Sequence, residues 1–301
     1  MYYGLDIGGT KIEFGAFDVN LQRVMTKRIP TPQTSYQALL DAIAELVEQA
    51  DLHLACRGAV GIGLPGMEQV DTGKVLTVNI AVAKGKTLRK DLECRLNRPV
   101  ALENDANCFA LSEANDERLA NYSVIAGLIM GTGFGGGVVI NGQVVSGHNH
   151  VAGEVGHMKL SLPALEHLGS NPPIFYCGCG AKGCLDSYLS GRGFELLYNH
   201  YYSEELSAVE IISKFSEGDG NVSAFVDFYL ELVAICLADL MMIIDPEAIV
   251  IGGGLSNFDE LYQKVPSKLD KHLLSVAKAP EIIKAKYGDA GGVRGAAFLN
   301  L

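Results

Sequence analysis

Hydrophobic residues near the N-terminus alternate with polar or small residues. Residues 12–17 follow a period of two, which predicts a strand, and the largely apolar residues 2–5 predict another strand in front of them. Asp6 and a Gly-Gly-Thr-Lys turn lie between the two strands, so the pattern predicts a β-hairpin with glycines at its tip. After a turn at residues 18–20, residues 22–29 predict a third strand.

The hydrophobic period then changes from two to between three and four. Residues 36–50 place their apolar side chains on one helical face, and Thr34 or Ser35 is a suitable N-cap in front of them. Residues 59–64 and 99–102 predict buried strands on either side of a further helix. Three antiparallel strands followed by this alternation predict an α/β domain with a mixed sheet.

The N-terminal pattern of a strand, a glycine turn and a second strand recurs after a polar stretch at residues 115–121. An apolar run at residues 124–130 leads into a glycine loop at residues 131–137, residues 138–140 are apolar again, and Asn-Gly at residues 141–142 predicts a hairpin turn. The chain is therefore predicted to contain two strand–glycine loop–strand units. This pattern is typical of a duplicated domain with two phosphate loops that face each other across a cleft.

The remainder of the chain is predicted to be mainly helical, with two more glycine turns. Residues 187–201 and 222–244 predict helices, and residues 249–251 predict a short buried strand. A third glycine loop follows at residues 252–254, and a last glycine turn at residues 288–295 precedes a short apolar helix. Glycines at strand ends let a backbone approach a ligand, but they also occur as ordinary helix caps.

The turn after Asp6 offers the groups that hold a phosphate and its metal ion. Two glycines free the backbone, and Thr10 and Lys11 add a hydroxyl and an ammonium group. A P-loop would lead from its glycines into a helix, whereas the residues after Lys11 predict a strand. Phosphate would therefore be held by the N–H groups of a hairpin turn. The alternative is a Gly-Gly hairpin turn without a ligand.

Composition narrows the class of protein. The 301 residues are 48% hydrophobic and 20% charged, which is ordinary for a globular protein, and the net charge of −11 argues against a general nucleic-acid-binding surface. We expect no membrane span, because Asp239 interrupts the longest apolar run. No secretory signal is predicted at the N-terminus, and seven cysteines, an odd number, do not suggest a disulfide framework. We therefore expect a cytoplasmic protein.

A carboxylate follows the predicted strand at residues 99–102. The run Glu103-Asn-Asp105-Ala-Asn leads directly from that strand into a helix. An aspartate at such a place is commonly the N-cap of the helix. The functional alternative is a carboxylate at the carboxyl end of a strand, where α/β proteins bind ligands.

Three cysteines in a glycine-rich segment predict a metal site. Cys177, Cys179 and Cys184 have the spacing Cys-x-Cys-x4-Cys, and His157 would complete a tetrahedral set. Four protein ligands leave no open position, so we expect a structural zinc. The alternative is a loop with three unligated thiols, and three other histidines are near enough in sequence to compete for the fourth position: His148, His150 and His167. The remaining cysteines lie in apolar contexts and are predicted to be buried: Cys56, Cys94, Cys108 and Cys236.

Together these motifs resemble those of the ROK family of sugar kinases and sugar-responsive repressors, within the actin-like ATPase superfamily. The matching segments extend over nearly the whole chain: residues 6–11, 61–66, 103–107, 131–137, 153–157, 177–184 and 251–254. The resemblance implies an α/β fold of the two-lobed actin-like (ribonuclease H-like) ATPase type. We expect one lobe at residues 1–119, with a C-terminal helix at 289–301 packing back on it. The other lobe, at residues 120–288, would carry the zinc site and much of the nucleotide site.

The resemblance also implies roles for individual residues. Asp105 would be the catalytic base that accepts the proton of the sugar 6-hydroxyl. The residues expected to bind the sugar are Asn79, Asn104, Asp105, Glu154, His157 and Asp186. His157 would bind the sugar with one ring nitrogen and the zinc with the other, and the other zinc ligands would be Cys177, Cys179 and Cys184. The residues expected to bind ATP and Mg²⁺ are Asp6, Gly9, Thr10, Lys11, Thr132, Gly133, Gly253 and Gly254.

Two departures from the family pattern concern the sugar. The family usually has glutamate two residues after the last zinc cysteine, whereas this chain has Asp186, which is one methylene shorter. Many family glucokinases also have a tryptophan shortly after the position of Asn79, whereas this chain has no tryptophan. The lost ring would leave room for an N-acetyl group.

The resemblance implies an ATP- and Mg²⁺-dependent kinase that converts N-acetyl-D-glucosamine to its 6-phosphate. Another hexose or N-acetylmannosamine kinase of the same family is the first alternative. A sugar-responsive repressor is the second, and it is disfavoured because the first glycine loop begins at residue 6, without room for a helix-turn-helix in front. We expect ATP and a small sugar as partners, a homodimer, and neither nucleic acid nor membrane.

Overall fold

Strands and helices alternate along most of the chain. The structure is a computed structural model that describes the backbone of residues 1–301 and every side chain except that of Asp289. The strands in chain order are β1 (Tyr2–Ile7), β2 (Lys11–Phe17), β3 (Arg23–Pro30), β4 (Ala59–Leu64), β5 (Gly66–Glu68), β6 (Val75–Thr77), β7 (Val100–Asn104), β8 (Val124–Met130), β9 (Phe134–Ile140), β10 (Gln143–Val144), β11 (Ala248–Gly252) and β12 (Glu281–Lys284).

The helices cover most of the remaining residues. In chain order they are α1 (Tyr36–Leu54), α2 (Leu88–Leu96), α3 (Asp105–Ala114), α4 (Leu162–His167), α5 (Asp186–Leu189), α6 (Gly191–Tyr202), α7 (Ala208–Ser216), α8 (Gly220–Ile244), α9 (Glu260–Leu269) and α10 (Gly291–Phe298). Short 3₁₀ turns lie at Ala81–Ala83, Glu117–Leu119, Val155–His157, Gly254–Asn257, Asp270–His272 and Gly288–Ala290. Among the helices described, none has the length and hydrophobicity needed to cross a bilayer.

The chain forms two compact units. The first consists of Met1–Asn121, Gly137–Gly153 and Tyr287–Leu301, and the second of Tyr122–Gly136 and Glu154–Lys286. Gly137–Gly153 belongs to the first unit because Val139 and Val144 pack with Ala110 and other apolar residues of that unit. The expected division between residues 119 and 120 stays a prediction.

The first unit contains the sheet that the alternating pattern predicted. Its strand order is β3-β2-β1-β4-β7, with β1, β2 and β3 antiparallel and β1, β4 and β7 parallel. Helix α1 packs its apolar face against this sheet, and Ser35 caps it by accepting a hydrogen bond from the N–H of Ala38 (3.1 Å). The predicted mixed sheet and the predicted hairpin of β1 and β2 are therefore confirmed.

Helix α10 lies unusually close to this sheet. A Cβ atom at Gly4 would lie 2.0 Å from the carbonyl oxygen of Val293, and one at Gly61 would lie 1.8 Å from that of Ala296. On the other side of the helix, a Cβ at Gly295 would lie 1.7 Å from the carbonyl oxygen of Cys108 in α3. The absence of side chains at these glycines lets the helix backbone contact its neighbours directly.

The second unit contains the other mixed sheet. Strands β8, β11 and β12 run parallel, with β11 in the middle, and β8 neighbours β9. The unit boundary falls within β9, whose last residues pair antiparallel with β10 in the first unit. Helix α8 is hydrophobic on several faces, and fourteen of its residues are buried in the core of the second unit.

Several details differ from the sequence predictions. The helix predicted at residues 187–201 is interrupted at Ser190, whose extended backbone separates α5 from α6 and whose hydroxyl caps α6. The strand predicted at residues 138–140 begins earlier, at Phe134, because the glycines of the loop continue in extended conformation. Cys94 is exposed rather than buried, since Leu92 and Leu96 occupy the inner face of α2, and Cys56 is half-buried.

Candidate active site

The turn between β1 and β2 is held by hydrogen bonds to its own backbone. The N–H of Gly8 donates to the carbonyl oxygen of Lys11 (2.9 Å), and the hydroxyl of Thr31 donates to the carbonyl oxygen of Gly8 (2.7 Å). A Cβ at Gly9 would lie 2.7 Å from the carbonyl oxygen of Asn79. The structure therefore brings two predicted ligand positions, Gly9 and Asn79, into direct contact. Thr10 and Lys11 have exposed side chains at the tip.

Asp6 lies at the end of β1, where its carboxylate is largely removed from water. The pKa of Asp6 is raised to about 6, mainly by burial and then by the negative charges of Asp105 and Glu13, while the ammonium of Lys11 lowers it. A withdrawn carboxylate whose proton affinity is raised by a second acidic group is a suitable ligand for a divalent cation such as Mg²⁺, which prefers oxygen ligands. The residues present therefore fit a Mg²⁺ ion.

Asp105 is the first residue of α3, and the N-cap is its neighbour Asn104. The side-chain oxygen of Asn104 accepts hydrogen bonds from the N–H groups of Ala106 (2.8 Å) and Asn107 (3.4 Å). Burial raises the pKa of Asp105, and a hydrogen bond from the N–H of Ala106 opposes that shift. Because Asn104 caps the helix, the carboxylate of Asp105 is not needed as the cap. It remains a half-buried base at the carboxyl end of β7.

Glu103 fixes this segment, although the sequence analysis gave it no role. Its carboxylate accepts hydrogen bonds from the N–H of Asn104 (2.8 Å), from the side-chain amide of Asn107 (3.0 Å) and from the hydroxyl of Ser146. Asn104 also donates to the carbonyl oxygen of Gly66 (3.2 Å). The only signal in the sequence was the extra carboxylate in the Glu-Asn-Asp run. Its contact with Ser146 spans 43 positions and could not be predicted locally.

In the second unit, His157 ends a 3₁₀ turn and offers its two ring nitrogens to different groups. Its Nδ1 atom lies 3.8 Å from Sγ of Cys177, and its Nε2 atom lies 3.8 Å from a carboxylate oxygen of Glu154. The preceding Gly156 is in close contact with β9, since a Cβ there would lie 1.9 Å from the carbonyl oxygen of Phe134. The Nδ1 edge of the imidazole ring thus points to the thiols, and the Nε2 edge points to Glu154, a predicted sugar ligand.

The predicted metal ligands lie together. Ligand atoms of His157, Cys177, Cys179 and Cys184 are all within 4.8 Å of one another, and the sulfurs of Cys179 and Cys184 are 3.7 Å apart. In a tetrahedral zinc site with Zn–S bonds of about 2.3 Å, neighbouring sulfurs would be about 3.8 Å apart. Distances and donor atoms therefore fit zinc. His150 and His167 contact the carbonyl oxygens of Glu68 and Phe228 instead.

The second and third glycine loops are neighbours within the second unit. A Cβ at Gly253 would lie 2.7 Å from the backbone nitrogen of Gly131, and Gly253 itself has a positive φ of 82°. The N–H of Gly131 donates to the carbonyl oxygen of Gly133 (2.9 Å), which closes a tight turn around Thr132. The predicted ligand positions Thr132, Gly133, Gly253 and Gly254 therefore lie on adjoining loops.

Asp186 contacts protein groups with both of its carboxylate oxygens. Oδ1 accepts a hydrogen bond from the N–H of Phe134 (2.9 Å), and Oδ2 is paired with the guanidinium of Arg192 (2.7 Å). Oδ2 also lies 3.7 Å from Sγ of Cys177, one of the predicted metal ligands. Arg192 was not among the residues that the sequence analysis selected, and no local signal pointed to it.

Known proteins match this chain over its whole length. The ROK family matches residues 2–301. The chain belongs to the ROK family. The N-acetyl-D-glucosamine kinase of Vibrio atlanticus (strain LGP32) is 59% identical over 301 residues, which cover 100% of both chains. The ROK hexokinase from Thermus thermophilus is 32% identical, has a TM-score of 0.85, and is matched over 99% of this chain and 97% of that chain.

A further ROK structure contains bound ligands. It is a glucokinase from Streptomyces griseus in complex with glucose and AMPPNP, 27% identical with a TM-score of 0.71, matched over 99% of this chain and 98% of that chain. Together with the two mixed sheets, these ROK structures confirm the predicted α/β fold of the actin-like ATPase type.

Proposed function

We propose that this ROK protein transfers the γ-phosphoryl group of ATP to the 6-hydroxyl of N-acetyl-D-glucosamine. The observation that carries this proposal is the 59% identity, over the full length of both chains, to a protein named N-acetyl-D-glucosamine kinase. The chain also has a half-buried carboxylate, Asp105, which acts electrostatically on Asp6 at the first glycine turn and is suited to be the base of this reaction. ATP-dependent sugar phosphorylation is accordingly the activity that we assign.

Asp105 is the proposed catalytic base. It accepts the proton of the 6-hydroxyl while that oxygen attacks the γ-phosphorus and the bond to the β-phosphate oxygen breaks, which leaves ADP. Phosphoryl transfer depends mainly on positioning and charge neutralisation, and a single base contributes about 10²–10⁴-fold to the rate. The raised pKa of Asp105 makes it a stronger base than an exposed aspartate. Glu103 and Asn104 keep it in place.

The proposed sugar ligands come from both units. Asn79 and Asn104 belong to the first unit, and Glu154 and His157 belong to the second. Each offers a polar group suited to a sugar hydroxyl. We do not extend this role to Asp186, because its carboxylate is surrounded by three protein partners: the N–H of Phe134, the guanidinium of Arg192 and the thiol of Cys177.

The proposed nucleotide ligands are the glycine turns. In the first unit they are Asp6, Gly9, Thr10 and Lys11, and in the second Thr132 and Gly133 for the phosphates and Gly253 and Gly254 for the adenosine. When bound, Mg²⁺ neutralises charge on the phosphates. Because the chain carries a net charge of −11, this local neutralisation is needed for an anionic substrate.

We further propose that His157, Cys177, Cys179 and Cys184 hold a structural zinc ion. Their closed set of four ligands leaves no position for substrate. Through His157 the metal would orient a side chain that binds the sugar. A homodimer in the cytoplasm is the state that we expect for the working enzyme.

A coupled assay of ADP release over several sugars tests the proposed function. We expect the highest kcat/KM with N-acetyl-D-glucosamine, and lower values with glucose, N-acetylmannosamine and fructose. Equal efficiency on glucose and N-acetylglucosamine would contradict the proposal that the missing tryptophan makes room for the N-acetyl group. A preference for N-acetylmannosamine would assign the chain to the alternative kinase activity.

A further inference from the structure

Asp186 lies between the metal-binding segment and the second glycine loop of the second unit. It is the first residue of α5 and follows the metal-binding Cys184 by two positions. Its side chain is only 15% exposed, and its Oδ1 atom accepts a hydrogen bond from the N–H of Phe134, the first residue after the tight turn of the second glycine loop. The carboxylate thus connects the metal-binding segment to a proposed phosphate loop.

The same loop has a second attachment nearby. The N–H of Gly191 donates to the carbonyl oxygen of Gly131 (2.7 Å), so the two ends of the segment 186–191, which contains α5, hold the loop at Phe134 and Gly131. Between these points the packing is tight, since a Cβ at Gly133 would lie 2.9 Å from Oδ1 of Asp186. Residues 131–134 are therefore held by contacts with the segment 186–191.

The charge of Asp186 needs compensation at such a place. A carboxylate directly beside a loop that binds phosphates would repel them. The guanidinium of Arg192 lies 2.7 Å from Oδ2 of Asp186, which provides a neutralising charge. The side chain of Arg192 is 47% exposed, so its cationic group also remains open to solvent.

We propose that Asp186 and Arg192 position the second glycine loop for the phosphates of ATP, and that Asp186 does not bind the sugar. Asp186 holds the loop through the N–H of Phe134, and Arg192 cancels its charge. This inference rests on the proposed function, because it takes the loop to be a nucleotide site. The shorter side chain of aspartate suits this role, since it keeps the carboxylate close to the backbone of the loop.

Substitutions can separate the hydrogen bond that Asp186 accepts from the loop and the negative charge that it carries. Asp186→Asn keeps a side-chain oxygen for Phe134 and removes the charge, whereas Asp186→Ala removes both. Arg192→Ala leaves the carboxylate uncompensated beside the loop. We therefore expect the dissociation constant of Mg·ADP to rise about tenfold in Asp186→Ala and in Arg192→Ala. We expect it to change less than about threefold in Asp186→Asn. The double variant Asp186→Asn with Arg192→Ala should bind Mg·ADP better than Arg192→Ala alone.

Isothermal titration calorimetry of the full chain with Mg·ADP, and separately with N-acetyl-D-glucosamine, measures these effects. We expect the sugar dissociation constant to be unchanged in every variant. Because Asp186 lies 3.7 Å from Sγ of Cys177, metal analysis of each variant is part of the experiment, and loss of metal in Asp186→Ala would show that Asp186 acts through the metal site instead. Lys214→Ala is the matched control, because it removes an ion pair with Glu204 of the same length (2.7 Å) in the same unit. It should leave the affinities for both ligands unchanged.

The outcomes distinguish this inference from the proposed function. If the Asp186 variants lose affinity for the sugar and keep that for Mg·ADP, the positioning role is wrong and Asp186 is a sugar ligand. If Arg192→Ala binds Mg·ADP as well as the wild type, charge compensation is wrong. A wild-type chain that binds neither Mg·ADP nor sugar would overturn the proposed function, and this inference with it.

Discussion

Asp105 combines two properties that a general base needs: it is withdrawn from water, and its carboxylate is not the cap of its helix. Asn104 supplies the cap, and although Oδ1 of Asp105 accepts the N–H of Ala106 (2.9 Å), Oδ2 remains available for a substrate proton. Replacing Asp105 by asparagine keeps the shape and removes the base. We expect Asp105→Asn to lower kcat by about 10²–10⁴-fold with little change in the affinity for N-acetyl-D-glucosamine. Steady-state kinetics and sugar titration check this, and unchanged turnover would overturn the mechanism.

The pH dependence of the rate follows from the same carboxylate. Burial raises the pKa of Asp105, so its protonated, inactive form persists to higher pH than in an exposed aspartate. We therefore expect kcat/KM to fall as the pH decreases, with a midpoint above the ordinary value of about 3.9. Rate measurements between about pH 4 and pH 8 test this, with circular dichroism as a control for folding. A midpoint at or below the ordinary value would contradict it.

Asp6 illustrates a conflict between stability and function at a single residue. Its pKa is raised from 3.8 to about 6 in the folded chain, so folding favours the protonated form. The folded chain is therefore most stable when this carboxyl is protonated. This contribution to the free energy of unfolding is fully present below the unfolded pKa of 3.8 and is lost as the pH rises through the folded pKa of about 6. In the absence of Mg²⁺ and nucleotide, the ionised group costs about 2 kcal/mol at neutral pH, after allowing for its partial exposure.

Asp6→Asn removes that cost. We expect the metal-free variant to be more stable than the wild type by about 2 kcal/mol in urea unfolding near neutral pH. The difference should shrink as the pH falls below the folded pKa of Asp6. We also expect the variant to lose most of its kinase activity, because Asp6 is a proposed Mg²⁺ ligand. Equal stability of the two proteins at neutral pH would show that ionised Asp6 does not destabilise the folded chain.

At the scale of elements, the close contact of α10 with its neighbours depends on glycine. Gly295→Ala would place a methyl group against the carbonyl oxygen of Cys108, where there is no space for it. Overpacking of this kind costs about 1–3 kcal/mol, so the urea midpoint should fall. Gly220→Ala is the control: it lies at the start of α8 with nothing within 4 Å of its added Cβ, and we expect no loss of stability. Equal losses in both variants would contradict this account of the packing.

Local patterns predicted those elements whose character is decided by nearby residues. The alternation in β2 and the apolar face and cap of α1 were sufficient, because strand and helix periods differ and Ser35 acts on its own helix. The break at Ser190 was missed, although the run Ser-Gly-Arg-Gly at residues 190–193 interrupts the apolar pattern and offers an N-cap. Helices α7 and α9 were not assigned either, and α9 contains Pro266 within it.

The candidate site was predictable where a motif carries its own geometry, and not where contacts are distant in sequence. The spacing of the three cysteines constrains their sulfurs locally, and the structure places them with His157. In contrast, the hydrogen bond between Phe134 and Asp186 spans 52 positions, and the pairing of Asp186 with Arg192 depends on the interruption between α5 and α6. Only the structure shows that the carboxylate of Asp186 contacts Phe134 and Arg192.

At the scale of the whole molecule, the metal site is expected to affect sugar binding and stability together. Removing zinc would free three thiols and release His157 from its fixed orientation. We expect one zinc per chain, and its removal by a strong chelator should raise KM for N-acetyl-D-glucosamine and lower the melting temperature. Metal analysis and thiol titration check the stoichiometry. Cys184→Ser should reproduce the effect, whereas Cys236→Ser, in the buried core of α8, should retain the metal.

The first unit is assembled from three separate parts of the chain, and its last part is Tyr287–Leu301. This arrangement has a consequence for synthesis, because a ribosome delivers the chain from the N-terminus. Strands β1 and β4 emerge early, but α10, which covers them, is among the last residues to be made. The glycine-rich sheet face that α10 contacts therefore lacks this helix through most of translation, and the first unit cannot complete its fold before residues 287–301 have been made.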